Sequence, residues 1–206
     1  MTCLRRRWLN QASLTSRHQA LRRSRLRLSN PQRKSFTITF RGAMATYDAT
    51  ARNYNELHGE EQRRKARVVV DYLKKHSLID EYSRLLDVGC GTCVSTQLFP
   101  GQKTGIDPSK ELLKQCPAGI QLVHGVAEDL PFPDKWFDVV ISLTAVHNFD
   151  NVEKGLSEMR RVGSKVWVIT VLKKSPKFAD IETLLRKLFK VETVLDDSTD
   201  AIFVLQ

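Results

Sequence analysis

Apolar residues Ala66, Val69, Val70 and Leu73 recur at i, i+3, i+4 and i+7, which predicts an amphipathic helix over about residues 60–76. The charged run Gln62-Arg63-Arg64-Lys65 reads as the solvated face of that helix. Further on, short apolar runs alternate with helical patterns. Strands are expected near 84–88, 103–107, 120–124, 137–143, 165–172, 190–195 and 201–205, and helices near 94–99, 109–116, 151–162 and 177–189. In the last helix Phe178, Ile181, Leu184, Leu185 and Leu188 mark the buried stripe. Strands separated by helices or long crossovers imply parallel pairing, whereas a polar turn, Asp196-Asp197-Ser198-Thr199-Asp200, alone divides the final two and predicts a hairpin. The expected fold class is α/β, with a seven-stranded sheet that is mostly parallel and ends in an antiparallel strand.

The stretch Leu85-Leu86-Asp87-Val88-Gly89-Cys90-Gly91-Thr92-Cys93 reads as a buried strand that runs into a glycine turn and opens a helix near Val94. Glycines let backbone approach a ligand with no Cβ in the way, and a helix N-terminus offers free N–H groups. That combination suits a nucleotide-type cofactor, although a plain tight turn has the same composition. Sixteen residues beyond Gly91 a second short strand ends in Asp107, followed by Pro108 and Ser109. A carboxylate at the tip of the neighbouring strand is placed to hold a ribose diol, or simply to cap the helix that follows. The dinucleotide fingerprint G-x-G-x-x-G requires glycine where Val94 stands, which weakens a nicotinamide reading.

These residues resemble motif I of the class I S-adenosylmethionine-dependent methyltransferases, in which an acidic residue precedes the first glycine by two positions, as Asp87 does. Two further segments extend the likeness. Tyr47-Asp48-Ala49-Thr50-Ala51-Arg52-Asn53-Tyr54 is similar to the family's cofactor-covering N-terminal segment. Ala127-Glu128-Asp129-Leu130-Pro131-Phe132-Pro133-Asp134, followed by Phe137-Asp138-Val139-Val140, is similar to its adenine loop and fourth strand. The pattern is most typical of the methyltransferase type 11-like branch that includes quinone-biosynthesis and wobble-uridine enzymes, and it runs from about Met44 to the C-terminus. The resemblance implies a Rossmann-like sheet and S-adenosyl-L-methionine as cofactor.

By the same resemblance, the turn Gly89-Cys90-Gly91 would meet the cofactor and Asp107 with Pro108 would hold its ribose. Ala127 and Glu128 would bind adenine, and Ser142 would end the fourth strand beside the sulfonium. Asp87 would orient the loop and the cofactor's amine, and Tyr54 would close over its methionine end, unless Tyr47 and Tyr54 are ordinary packing aromatics. In Thr144-Ala145-Val146-His147-Asn148-Phe149, His147 is the candidate catalytic group. It would serve as a base or orient the acceptor by a hydrogen bond, and a structural histidine is the alternative. Two residues depart from the family pattern: Cys93 stands where a third glycine is usual, and Val126 where an acid is frequent.

Charge divides the chain. The first 43 of its 206 residues hold eleven of the 33 Lys and Arg and none of the 23 Asp and Glu, which leaves 22 basic against 23 acidic residues in the remainder. Residues 1–43 are read as an extension outside the fold, and residues 44–206 as the methyltransferase domain. A presequence, a basic arm for nucleic acid and sequence upstream of a start at Met44 all fit the extension. A cytoplasmic location is expected, or the mitochondrial matrix if the extension is a presequence. No apolar run reaches the ~18 residues of a membrane span. Cys90 and Cys93 form a C-x-x-C, but no second pair completes a closed zinc site, so no metal is expected. A Cys90–Cys93 disulfide is conceivable if the loop geometry allows it.

Small-molecule members of the family it resembles commonly carry a long lid-forming insertion after the fifth strand, and here that segment is short, so the resemblance implies an open site and a macromolecular acceptor, RNA or protein, with an activating partner subunit where the core lacks the charge to bind RNA. A small-molecule enzyme of the quinone-biosynthesis type and a catalytically silent subunit of a partner enzyme are the alternatives.

Overall fold

The computed structural model describes residues 54–206, with side chains from Gly59 onward. Tyr47, the basic extension and the side chain of Tyr54 lie outside the described residues. Helix α1 (Tyr54–Lys75) leads to strand β1 (Arg84–Val88), then β2 (Gln102–Asp107), the single turn α2 (Lys110–Leu113), β3 (Ile120–His124), β4 (Phe137–Ser142), α3 (Val152–Val162), β5 (Gly163–Leu172), α4 (Phe178–Leu188), β6 (Val191–Asp196) and β7 (Asp200–Leu205). The strands form one sheet in the order β3-β2-β1-β4-β5-β7-β6. Neighbours are parallel from β3 to β5, and β7 runs antiparallel to both β5 and β6. The expected seven-stranded α/β sheet with an antiparallel last strand is what the chain forms.

Successive side chains of a strand point to opposite faces, so each buried strand supplies two cores. Leu85, Val139, Ile141, Val168 and Val204 face α1 and meet Ala66, Val69 and Leu73. Leu86, Val88, Val140, Ile169 and Phe203 face the other way, onto Leu156 and Met159 of α3 and Ile181 and Leu185 of α4. Ser77, in the left-handed region at φ 55°, ends α1. There the N–H groups of Leu78 and Ser77 return to the carbonyls of Leu73 and Lys74, the pairing of a Schellman cap.

Three expectations are corrected. The helix expected over 94–99 is only a 3₁₀ turn, Thr96–Leu98. Cys93 lies in the left-handed region, Val94 and Thr96 are β-branched, and Pro100 forces Phe99 into extended backbone, so no room remains for an α-helical turn. The helix expected over 109–116 is one turn, Lys110–Leu113, capped by the Ser109 hydroxyl, which accepts from the Leu112 N–H. Finally, Gln62 and Lys65 are buried and not on a solvated face. No helix among the described residues is long and apolar enough to cross a membrane.

Candidate active site

The strand order reverses between β1 and β4, and in an open α/β sheet the crevice at that point, beyond the carboxyl ends of the strands, is where ligands bind. The two strand ends are tied together. The Ser142 hydroxyl donates to the Val88 carbonyl at 2.9 Å, and Gly89 approaches Ala145 so closely that a Cβ on Gly89 would lie 2.5 Å from the Ala145 Cβ. Ser142 thus acts on backbone between the strands and is fully buried there. Gly89 donates its N–H to the Ile106 carbonyl, which adds β2 to the junction.

Gly91 is different in kind. Its φ of 54° favours glycine, and nothing lies within 4 Å of where a Cβ would stand. Its N–H donates to Asp107 Oδ2 at 2.8 Å, while Oδ1 of the same carboxylate accepts from the Ser109 N–H at 2.9 Å. Asp107 therefore both holds the glycine turn and stabilises the start of α2, and a carboxylate has acceptor sites beyond these two. The Pro108 carbonyl faces the His124 ring at 3.0 Å. Asp87 is buried, with the Thr96 hydroxyl donating to Oδ2 at 2.6 Å. Burial pushes its carboxyl up to about 7, the Thr96 hydrogen bond opposes this, and the nearby Asp107 charge adds to it.

On the other side of the crevice Ala127 packs in the core, and the Glu128 carboxylate accepts from the Asn151 N–H at 3.0 Å, at the start of α3. Glu128 thus adopts the bland role open to an acid near a helix N-terminus. Sequence reasoning missed what fixes this loop. Arg161 donates to the Leu130 and Phe132 carbonyls and pairs with Asp134 and Glu158, and Glu158 accepts from the Leu130 N–H.

His147 lies in a 3₁₀ turn, Val146–Asn148, with its carbonyl held by Lys177 Nζ at 3.0 Å. Its ring Nδ1 is buried with no hydrogen-bond partner among the described residues. Burial lowers its pKa below the ordinary 6.5, Asp200 opposes this, and Lys177 and Lys65 add to it. The ring is therefore neutral near pH 7 and lies beside the end of β4, with its buried Nδ1 uncommitted.

Beneath this loop lies a polar network invisible in the charge pattern. Lys65 is fully buried; it pairs with Asp200 and with Glu61 and donates to Thr144 Oγ1 at 2.9 Å. The Thr144 N–H, in the left-handed region, donates to Thr170 Oγ1. The signal was periodic: Gln62 and Lys65 continue the stripe of Ala66, Val69 and Leu73 one turn toward the N-terminus.

The cysteines also depart from expectation. Cys93 pairs with Cys116 of the segment after α2, and Cys90 stays a free buried thiol. The C-x-x-C alone gave no hint of Cys116, 23 residues from Cys93 in sequence.

Residues 86–165 match the family model described as a methyltransferase domain. Over 92 residues the chain is 35% identical to a fatty-acid O-methyltransferase of Mycolicibacterium smegmatis, covering 40% of this chain and 34% of that protein. A phthiotriol/phenolphthiotriol dimycocerosates methyltransferase of Mycobacterium ulcerans is 35% identical over 89 residues, 38% of this chain and 33% of its own length. The chain thus spans about a third of the length of the curated relatives it matches. Among solved structures, a methyltransferase of Haloferax volcanii in complex with the Trm112 methyltransferase activator matches with TM-score 0.63 at 15% identity, over 80% of this chain and 96% of that one. The magnesium protoporphyrin IX methyltransferase of Synechocystis PCC 6803, with bound S-adenosylmethionine, matches with TM-score 0.57 at 15% identity, over 70% and 79%.

Proposed function

We propose that this chain, whose residues 86–165 match a methyltransferase domain within a sheet of the class I S-adenosylmethionine-dependent methyltransferase order, transfers a methyl group from S-adenosyl-L-methionine to an acceptor presented at the open side of the crevice between β1 and β4. The observation that carries this reading is the glycine turn at the strand-order reversal. Gly91 leaves open space where a side chain would stand, while Asp107 fixes its N–H. Those residues fit the cofactor. Gly89 and Gly91 would lie along it, Asp107 and Pro108 would take the ribose, and Ala127 and Glu128 would flank the adenine. Asp87 and Tyr54 would meet the methionine end. When bound, the cofactor supplies an electrophilic methyl group on a sulfonium.

The protein's own contribution is alignment and exclusion of water. The neutral, half-buried His147 ring beside the end of β4 suits it to accept a hydrogen bond or a proton from the acceptor. Five residues, 173–177, join β5 to α4, so little chain is available there to cover an acceptor. This favours a macromolecular acceptor, RNA or protein, whose own surface or a partner subunit completes the enclosure. The Haloferax methyltransferase bound to its Trm112 activator supports the partner. A second reading, a small-molecule acceptor, is favoured by the names of the relatives, which act on a fatty acid and on a mycobacterial lipid.

Methyl-labelled S-adenosylmethionine incubated with the full chain and with fractionated RNA, protein and small molecules tests the reading. Label is expected in a macromolecular fraction. Label in a purified small molecule selects the second reading. Cofactor binding without any transfer identifies a silent subunit.

A further inference from the structure

The thiols of the three cysteines in and around the glycine turn form a built cluster to which the methyl-transfer reading gives no role. The Sγ atoms of Cys90, Cys93 and Cys116 all lie within 4.8 Å of one another. Cys93 is fully buried at a backbone position, φ 58°, that favours glycine, so a thiol is placed there against the conformational preference of the chain. Across the cluster Gly105 of β2 provides the room: a Cβ on it would stand 2.8 Å from Cys90 Sγ and 3.5 Å from Cys93 Sγ. Leu113 and Ile120 close the sides with apolar surface. The Gly91 carbonyl sits 3.5 Å from Cys116 Sγ and 3.9 Å from Cys90 Sγ, although a sulfur held in a disulfide has no proton to donate.

We propose that, once the Cys93–Cys116 disulfide is reduced, Cys90, Cys93 and Cys116 bind one thiophilic divalent cation, of which Zn²⁺ is the natural example, as a three-thiolate site on the cofactor turn. Three sulfurs about a tetrahedral Zn²⁺ at ~2.3 Å from the ion stand about 3.8 Å apart. From a cluster spanning 4.8 Å the widest pair closes by about an ångström, while the sulfurs of Cys93 and Cys116, no longer bonded once reduced, part to the same spacing. The ligand set is all sulfur, which selects soft ions over Mg²⁺ or Ca²⁺. A three-thiolate site leaves one coordination position open. In the reductive step a dithiol or a phosphine gives two electrons to the disulfide, and two protons complete the thiols of Cys93 and Cys116. Binding the ion then releases up to three protons to solvent as three S–H bonds are exchanged for three metal–sulfur bonds.

The test does not depend on methyl transfer. The full chain, reduced with a phosphine that carries no thiol and kept under nitrogen, is titrated with Cd²⁺ while sulfur-to-metal charge-transfer absorption is recorded. One equivalent is expected to bind the reduced protein and to be displaced by Zn²⁺, and the oxidised protein should show no band. Cys90→Ser, Cys93→Ser and Cys116→Ser should each weaken binding on the order of 100-fold, whereas Cys3→Ser should leave it unchanged. Should a variant fold poorly, alkylation of the unaltered protein decides: Cd²⁺ should protect three thiols, read by mass spectrometry, while Cys3 reacts. Equal binding by the oxidised protein, undiminished binding by Cys90→Ser, loss of binding in Cys3→Ser, or alkylation of all four thiols in the presence of the ion would overturn the proposal.

Discussion

Asp87 is buried beside a second carboxylate, and this decides how the site responds to pH. Its carboxyl titrates at about 7 in the folded protein against an ordinary 3.8. Between those values the folded state keeps a proton that the unfolded chain releases, so stability is fully present below about pH 4 and is lost as pH rises toward 7, by up to roughly 4 kcal/mol. The melting temperature is therefore expected to fall over that window, and Asp87→Asn should flatten the fall; a slope identical in the variant would assign the effect to other groups. A cofactor whose ammonium pairs with ionised Asp87 should bind more tightly as pH passes 7. Asp107 acts at the same junction, and Asp107→Ala should weaken cofactor binding by about 10–150-fold, the worth of hydrogen bonds to a charged group; unchanged affinity in calorimetry would remove it from the site. His147 is neutral because burial lowers its pKa. The expected signature of His147→Ala is a fall in turnover larger than the fall in cofactor affinity, together with loss of an acid limb lying below pH 6.5 in the rate profile. A parallel fall in both would make the ring structural.

At the scale of the element, α1 holds the loop after β4 in place through one side chain. Lys65 reaches from the helix through the core to Thr144, Asp200 and Glu61, joining the loop after β4 to the start of β7. Truncating one partner of a buried pair leaves the other charge uncompensated, at a cost of about 3–5 kcal/mol. Lys65→Ala should lose that much stability in denaturant unfolding, while Lys65→Met, which keeps much of the packing, still leaves Asp200 without its cation. A loss below about 1 kcal/mol would show that entering water or protonation of Asp200 compensates for the lost cation. The same residue explains where sequence reading stopped. All seven strands, the hairpin and the last helix were legible because apolar spacing reports burial directly, as with Ile181 and Leu185. Lys65 was not, because a charged residue in an apolar stripe reads as exposed until its partner, 135 residues away in sequence, is brought beside it. The helix expected after β1 failed for a local reason: the backbone of Cys93 turns left-handed, which its side chain does not announce. The glycine turn, Asp107 and the β4 loop were found by their motifs, whereas Cys116 and Arg161 carry none and are recognised only through what they touch.

At the scale of the whole molecule, acceptor size should follow from how little chain stands over the end of β4. The crevice is bounded by the turn 89–93, the loop 143–149 and the connection 173–177, and the turn between β6 and β7 adds only residues 197–199. The described core and the loops proposed to bind the cofactor both follow the start of α1, so a chain starting at Met44 is expected to melt at the same temperature as the full chain and to bind S-adenosylmethionine equally well. Acceptor use should divide the two. Residues 1–43 carry all the excess positive charge of the protein, and the remainder has 22 basic against 23 acidic residues. Binding to RNA requires Lys or Arg in numbers comparable to the phosphates neutralised, and it weakens steeply with salt. If RNA is the acceptor, the full chain should methylate it at low salt and lose activity as salt rises, while the chain starting at Met44 should require a partner subunit to supply the missing charge. A protein acceptor should be modified at similar rates by both chains with weak salt dependence. Rapid methylation of a purified fatty acid, quinone or phenol by the shorter chain alone would refute the macromolecular reading and assign water exclusion to the segment around Tyr47 and Tyr54.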